Sequence, residues 1–191
     1  LKDLFPEKDI APLHFSELDK HDPKANLGQF LEPCRAGHDL GLLSEAGLPG
    51  IADPGGGIVA LAHQEGIPVV PLTGPSSILL ALIASGMNGQ QFTFHGYLPR
   101  KGGELQHSLQ RLEQEARRTK ATQIWIETPY RNQAMIDTVL KQLSPNTHFA
   151  VAANLSLPSV IIRSTSITHW RKLPALDIQK QPAVFLLNIN P

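Results

Sequence analysis

The chain has 191 residues, enough to bury one large core or two small ones, and we favour two domains. A composition of 41% hydrophobic and 18% charged residues is that of an ordinary globular protein, and the absence of a long apolar run excludes a membrane-spanning chain. The net charge is zero, yet residues 1–95 carry five Lys and Arg against eleven Asp and Glu, whereas residues 96–191 carry twelve against six. This asymmetry supports two domains, and the basic half suits RNA, a substrate rich in carboxylates or the acidic half of the same molecule.

The single cysteine, Cys34, cannot form an intramolecular disulfide, which fits a reducing compartment. Nothing in the sequence resembles a signal peptide, so we expect a cytoplasmic protein without a membrane anchor. The eight histidines are scattered, with no pair at metal-ligand spacing, and we expect no metal site.

The first part of the chain predicts loops over residues 1–25, with one strand at residues 10–15. A short helix is predicted over residues 26–34 and a buried strand over residues 39–43. A glycine-rich loop over residues 44–57 then leads into a helix predicted at residues 58–65.

A second strand is predicted at residues 67–72, followed by a turn into an apolar helix at residues 78–84. Because that helix is apolar nearly all round, we expect it to be buried. Ser76 or Ser77 can cap it, and capping explains these serines as well as ligand contact does. The polar residues that follow predict a domain boundary, with one domain over residues 1–91 and another over residues 92–191.

Strands and helices alternate in the second domain as well. Strands are predicted at residues 92–97, 123–127, 148–153, 159–163 and 182–189, and helices at residues 104–120 and 131–143. The alternation in both halves predicts an α/β fold with two α/β domains.

The glycine-rich loop lies between a predicted strand and a predicted helix, where α/β sheets bind ligands. It lacks the lysine of a P-loop and the glycine spacing of a dinucleotide site. Glu45 and Asp53 would repel a phosphate, so a ligand with positive charge and hydroxyl groups fits the loop better. Glycines of this kind also serve simple turns, and that alternative stays open.

A second candidate is the run Glu127, Thr128, Pro129, Tyr130 and Arg131, which places a carboxylate, a hydroxyl, an aromatic ring and a guanidinium at a strand end. A proline turn in which Arg131 opens a helix explains it equally well.

The second half of the chain contains two modest basic clusters. One is Arg100 with Lys101, and the other is Arg117 and Arg118 with Lys120. A solvated helix face explains them more simply than an RNA contact does.

Four segments, in order, resemble the tetrapyrrole methylase family: SEAGLPGIADPG at residues 44–55, PLTGPSS at 71–77, FTFHGYLPRK at 92–101 and ETPYR at 127–131. Within the family they are most similar to the branch that methylates a cytidine ribose 2′-oxygen in small-subunit ribosomal RNA. The resemblance implies two α/β domains with a ligand cleft between them, S-adenosyl-L-methionine as methyl donor, and a homodimer.

The resemblance also implies which residues contact the donor. They are Ser44, Ala46, Gly47, Pro49, Asp53, Pro54, Gly55, Gly74, Pro75, Ser76, Ser77, Thr128, Pro129, Tyr130, Arg131, Ala153, Asn154, Pro182 and Ala183. If the acceptor is a hydroxyl, a base must take its proton, and the candidate catalytic carboxylates are Glu45, Asp53 and Glu127.

The chain departs from the family in two places. The family's opening strand and its proline- and glycine-bearing loop have no counterpart, so we expect a missing N-terminal segment. Where the RNA branch has Arg-Glu-Leu-Thr-Lys, residues 153–157 read Ala-Asn-Leu-Ser-Leu. Three hypotheses therefore stand: a donor-dependent RNA methyltransferase, a methyltransferase for a tetrapyrrole or other small acidic substrate, and a non-catalytic donor-binding protein.

Overall fold

The computed structural model describes residues 7, 12–18, 26–44 and 48–189. The chain divides into two compact units, Leu1–Gly74 and Pro75–Pro191. The domain boundary predicted between residues 91 and 92 stays a prediction, and it falls inside the second unit. The helix at residues 77–85 belongs to that unit because it packs on the unit's sheet.

The first unit is a small helical cluster. A 3₁₀ turn at Leu27–Leu31 runs directly into helix α1 (Glu32–Arg35), and helix α2 (Gly56–Gln64) packs against the turn. Gly57 makes this close approach possible, since a Cβ at that position would lie 2.7 Å from a methyl carbon of Leu27. The predicted helices at residues 26–34 and 58–65 are therefore confirmed, the first as two short pieces.

An exposed ion pair links α1 to the end of α2. Arg35 donates from Nη2 and Nε to the two carboxylate oxygens of Glu65, at 2.6 and 2.8 Å. The hydrogen bond from Arg35 lowers the pKa of Glu65 below its usual value. The interaction is open to solvent, so it orients the two helices more than it stabilises them.

None of the three strands predicted in the first unit forms in its described residues. Residues 39–43 and 67–72 form no strand, and residues 12–15 of the strand predicted at residues 10–15 form none either, while residues 10 and 11 lie outside the described ranges. A strand needs a partner for its backbone ladder, and the described part of this unit supplies none. Leu43 and Leu72 are accordingly 71% and 86% exposed rather than buried.

The second unit is built on a five-stranded sheet, which confirms the predicted α/β class. Its strands are β1 (Phe92–Tyr97), β2 (Thr122–Ile126), β3 (His148–Ala153), β4 (Ile161–Ser166) and β5 (Ala183–Asn188). They lie in the order β1-β2-β5-β3-β4, with β1 and β2 parallel and every other neighbouring pair antiparallel.

Helices cover both faces of this sheet. They are α3 (Ser77–Ser85), α4 (Gly102–Thr119), α5 (Asn132–Gln142) and the short α6 (Ile167–Trp170). The side of the sheet that carries Trp125 and Phe149 packs on α4 and α5, and the side that carries Ile124 and Ala150 packs on α3. Burial on both faces explains why β3 and β5 are largely apolar, whereas the edge strands β1 and β4 mix polar and apolar residues.

The expectation that the apolar helix is buried holds for one face of α3 only. Ala81 of α3 is fully buried against the sheet, whereas Ile83 is 77% exposed. No helix in the described ranges is both long and apolar enough to cross a membrane.

We expect Glu113→Ala to destabilise the second unit by about 2–3 kcal/mol, because buried donors left without a partner carry their full desolvation cost. The Glu113 carboxylate, on the buried face of α4, accepts hydrogen bonds from the Ser144 N–H and hydroxyl at 2.9 and 3.0 Å and from the Thr147 hydroxyl. Urea unfolding measures the loss. Gln114→Ala, exposed on the same helix, is the matched control and should stay within about 0.5 kcal/mol. Equal losses in the two variants would contradict this role for Glu113.

Candidate functional site

Three of the predicted segments meet at one end of the sheet. Ile126 at the end of β2 pairs with Val184 of β5, and Ala153 at the end of β3 pairs with Ala183. The turn after β2, the end of β3 with Asn154, and Pro182 with Ala183 therefore lie side by side. Because β5 is inserted between β2 and β3, sequence order alone does not bring these segments together.

The turn after β2 is organised by the Glu127 carboxylate. One of its oxygens accepts hydrogen bonds from the Thr128 N–H at 2.7 Å and the Thr128 hydroxyl at 3.2 Å. The chain then makes a 3₁₀ turn at Pro129–Arg131 that leads into α5. The predicted proline turn that opens a helix is thus present. It leaves the ligand interpretation open, since 75% of the Tyr130 surface is exposed in this turn.

Arg131 folds back over the same turn. One terminal nitrogen lies 3.6 Å from the second oxygen of Glu127, whose side chain is 2% exposed. The same nitrogen donates to the backbone carbonyl of Arg100 at 3.2 Å, which ties this turn to the segment after β1. The sequence gives no local signal for that contact, because the two residues are 31 positions apart.

Two buried polar atoms of this turn have no hydrogen-bond partner among the described residues: the second oxygen of Glu127, Oε2, and the Arg131 Nη1. Native proteins rarely leave such atoms unpaired without an ordered water, an ion or a ligand. An acceptor and a donor are thus available at the carboxyl end of β2. The site fits a small ligand that offers both hydrogen-bond donors and acceptors.

Asn154 has a structural task at the end of β3. Its backbone is left-handed, with φ 52°, and its side-chain amide donates to the Ser159 hydroxyl at 3.1 Å and to the Gln181 side-chain Oε1 at 2.9 Å. Sequence reasoning missed Ser159 and Gln181, since neither lies in a motif. With both amide hydrogens used, Asn154 holds the loop after β3 to the start of β5.

The amino end of α3 points to the same end of the sheet. Just beyond the helix, the carbonyl of Asn88 accepts a hydrogen bond from the Thr122 hydroxyl at the start of β2, at 2.8 Å. A nine-residue helix spans about 13 Å, or about four strand residues, so α3 runs back toward the carboxyl ends of β2 and β3. Ser76 is its cap and accepts from the Leu79 N–H at 3.5 Å. A ligand role for Pro75, Ser76 and Ser77 stays a prediction.

The glycine-rich loop lies in the first unit, and its residues Glu45, Ala46 and Gly47 fall outside the described ranges. Gly50 and Gly55 have φ values of 82° and 128°, which favour glycine. The Gly50 N–H donates to the carbonyl of Pro54 at 3.1 Å and so closes the loop on itself. Simple turns therefore account for some of these glycines.

The loop ends at the uncapped amino end of α2. Gly55 is the N-cap and has no side chain, so the N-cap residue makes no capping hydrogen bond to the first turn of this helix. Ser44, Pro49, Asp53 and Gly74 belong to this unit, and their contact with the donor stays a prediction.

Of the three candidate catalytic carboxylates, Glu127 is the one whose surroundings the structure defines most fully. Asp53 is half-buried in the first unit, and Glu45 lies outside the described ranges. Across the described ranges, no group of three His, Cys, Asp or Glu side chains is arranged to hold a metal ion.

Comparison with known sequences identifies relatives of this chain. A family model described as Tetrapyrrole (Corrin/Porphyrin) Methylases matches residues 2–169. The chain is 33% identical over 156 residues to "Ribosomal RNA small subunit methyltransferase I" of Halalkalibacterium halodurans, covering 80% of this chain and 52% of that protein. The protein of the same name from Pseudomonas aeruginosa is 31% identical over 162 residues, covering 85% and 56%. The chain spans about half the length of the curated relatives it matches.

Two solved structures share its fold. The methyltransferase CobJ aligns with a TM-score of 0.55 and 18% identity over 94% of this chain and 79% of its own. Uroporphyrin-III-C-methyltransferase from Thermus thermophilus aligns with a TM-score of 0.51 and 18% identity over 87% and 71%. These likenesses support the α/β fold.

Proposed function

This chain belongs to the tetrapyrrole (corrin/porphyrin) methylase family, and from that premise we propose that the protein is an S-adenosyl-L-methionine-dependent methyltransferase of small-subunit ribosomal RNA. The acceptor we propose is a ribose 2′-oxygen. The cytoplasmic location and the homodimer that the family resemblance implies are part of the same proposal.

The observation that carries the proposal is the family match over residues 2–169. The relatives named for ribosomal RNA methylation favour RNA over a tetrapyrrole as the substrate, since they match at 31–33% identity while the two fold neighbours are 18% identical. The chain spans about half of those relatives, so activity and substrate are proposed here for the protein as a whole.

The residues at the sheet end fit the methyl donor. S-adenosylmethionine bears amino, carboxylate and ribose hydroxyl groups, and when bound it supplies an activated methyl group on a positively charged sulfur. Glu127 offers an unpaired buried acceptor, and Arg131 offers an unpaired buried donor suited to a carboxylate.

The chain's own contribution to catalysis would be chiefly positioning. Glu127 is held by Thr128 and Arg131 by the Arg100 carbonyl, so the two charged groups have fixed orientations before a ligand arrives. Such pre-organisation holds the bound donor in a geometry that favours its reaction with the acceptor. The hydroxyl proton of the acceptor needs a base, and the candidates for that role are Glu45, Asp53 and Glu127.

Isothermal titration calorimetry of the full chain with S-adenosylmethionine tests the donor. We expect saturable binding, and we expect ATP to bind far more weakly because the carboxylates of the glycine-rich loop repel phosphate. No heat of binding with millimolar S-adenosylmethionine would sink the proposal.

The acceptor needs a separate experiment. Ribose methylation is mapped on ribosomal RNA from a strain that lacks the gene and from a strain complemented with it. A modification that disappears and returns supports the RNA substrate. An unchanged map, together with donor binding, would instead favour a small acidic substrate or a non-catalytic donor-binding protein.

A further inference from the structure

An open groove lies beside the amino end of α4. It has a volume of about 530 Å³ and is lined by Pro99, Gly103, Glu104, His107, Ser108 and Arg111. Gly103, His107 and Arg111 are spaced by four residues and so share one face of the helix. The stripe they form is roughly 12 Å long, at about 1.5 Å per residue.

One arginine in the groove and two cations beside it in the sequence supply positive charge. Arg100 and Lys101 are exposed just before the helix, and Arg111 is exposed within it. None of the three forms an ion pair within the described part of the chain, and Glu104 is the one carboxylate in the lining. At the other end of α4, by contrast, Arg118 is paired with Glu115 at 2.6 Å.

The backbone at this end of α4 is also suited to anions. Lys101 is the N-cap and its side chain makes no capping hydrogen bond, so the first N–H groups of an 18-residue helix have no side-chain partner. A Cβ built on Gly102 or Gly103 would meet nothing within 4 Å. A phosphate could therefore approach the backbone closely.

One hydrogen bond links the start of the groove to the candidate site. Arg100 follows Pro99 of the groove lining, and its carbonyl accepts the hydrogen bond from Arg131. A polyanion lying along α4 would thus lead to the turn after β2.

We propose that this groove binds the ribose-phosphate backbone of a single-stranded segment of the RNA substrate, with Arg100, Lys101 and Arg111 contacting phosphates. The proposal rests on the proposed function.

The test is fluorescence anisotropy of labelled oligocytidylate with the full chain over a salt series. The triple variant Arg100→Gln/Lys101→Gln/Arg111→Gln should bind at least about tenfold more weakly, and its salt slope should shrink by about 2, at roughly 0.7 per phosphate contact. The control variant Lys141→Gln/Lys172→Gln/Lys180→Gln removes the same charge from other exposed positions and should stay within about threefold, because it leaves the proposed phosphate contacts in place.

A second variant probes the groove without changing its charge. Gly103→Leu places a side chain in open space, favours the helix and should lower RNA affinity with no loss of unfolding free energy.

Polyglutamate serves as a competing anion and should displace the RNA poorly.

Three results would overturn the proposal: equal losses in the two triple variants, tight binding of polyglutamate, or no binding of RNA by the unaltered chain. Calorimetry with S-adenosylmethionine on each variant keeps the two proposals apart. Donor affinity should be unchanged in all of them, and its absence throughout would count against the methyltransferase assignment while leaving the RNA result intact.

Discussion

Phe149→Ala is expected to lower the free energy of unfolding by about 3–5 kcal/mol, because it opens a cavity in the centre of the larger core. Phe149 is fully buried and its ring centre lies 6.2 Å from that of Trp125, 6.3 Å from that of Phe185 and 5.1 Å from that of Trp170. The Trp170 indole N–H also donates to the Phe149 carbonyl at 2.7 Å, so the cavity would loosen α6 as well. Urea unfolding followed by tryptophan fluorescence measures the loss.

Two control variants show whether the effect comes from packing. Phe149→Leu keeps most of the volume and should cost clearly less than the alanine variant. Phe92→Ala, at the exposed start of β1, should change the unfolding free energy by much less than a buried aromatic does. A loss of under about 1 kcal/mol for Phe149→Ala would contradict the view that this aromatic cluster is the centre of the core.

Arg131→Ala is expected to weaken S-adenosylmethionine binding by about ten- to a hundredfold, the range that corresponds to a hydrogen bond with a charged group, about 1.5–3 kcal/mol. The guanidinium has one buried nitrogen without a hydrogen-bond partner, and its other terminal nitrogen is held by the Arg100 carbonyl and lies near Glu127. Calorimetry with the donor measures the change.

Matched variants separate binding from folding. Arg131→Lys keeps the charge but loses the planar fork, and we expect intermediate affinity. Arg118→Ala removes an exposed arginine from the far end of α4 and should leave donor affinity unchanged. Unfolding is measured for each variant, because Arg131→Ala also leaves the buried Glu127 carboxylate without its cation. Full donor affinity in a folded Arg131→Ala protein would show that Arg131 does not contact the donor.

The second unit shows which parts of the fold can be predicted from the local amino-acid sequence. Strands β3 and β5 are apolar runs bounded by turn residues, and α4 repeats its buried leucines at helical spacing, so both kinds of element are predicted within a few residues of their observed bounds. In the first unit the same kind of apolar run at residues 39–43 and 67–72 predicted strands that are not formed. An apolar run indicates that a segment tends to be buried, whereas a strand also requires a neighbouring strand that hydrogen-bonds to its backbone.

The candidate site, too, has some features that the local sequence predicts and others that it does not. The run from Glu127 to Arg131 was recognised from its side chains, and its position at a strand end followed from the pattern before it. The contacts of Arg131 with the Arg100 carbonyl and of Asn154 with Gln181 could not be predicted, because the partners are 31 and 27 residues apart and belong to no motif. Long-range polar contacts of this kind leave no period in the sequence.

By itself, the sequence determined the α/β class, most helices and strands of the second unit, and four ordered motifs that resemble the tetrapyrrole methylases. These are local properties, carried by side-chain polarity and spacing. Only the tertiary structure decided that β5 lies between β2 and β3, which brings the turn after β2 beside Asn154 and Pro182. It also decided that Glu127 and Arg131 each keep a buried atom unpaired, since burial and pairing depend on neighbours that the chain brings together only when it folds.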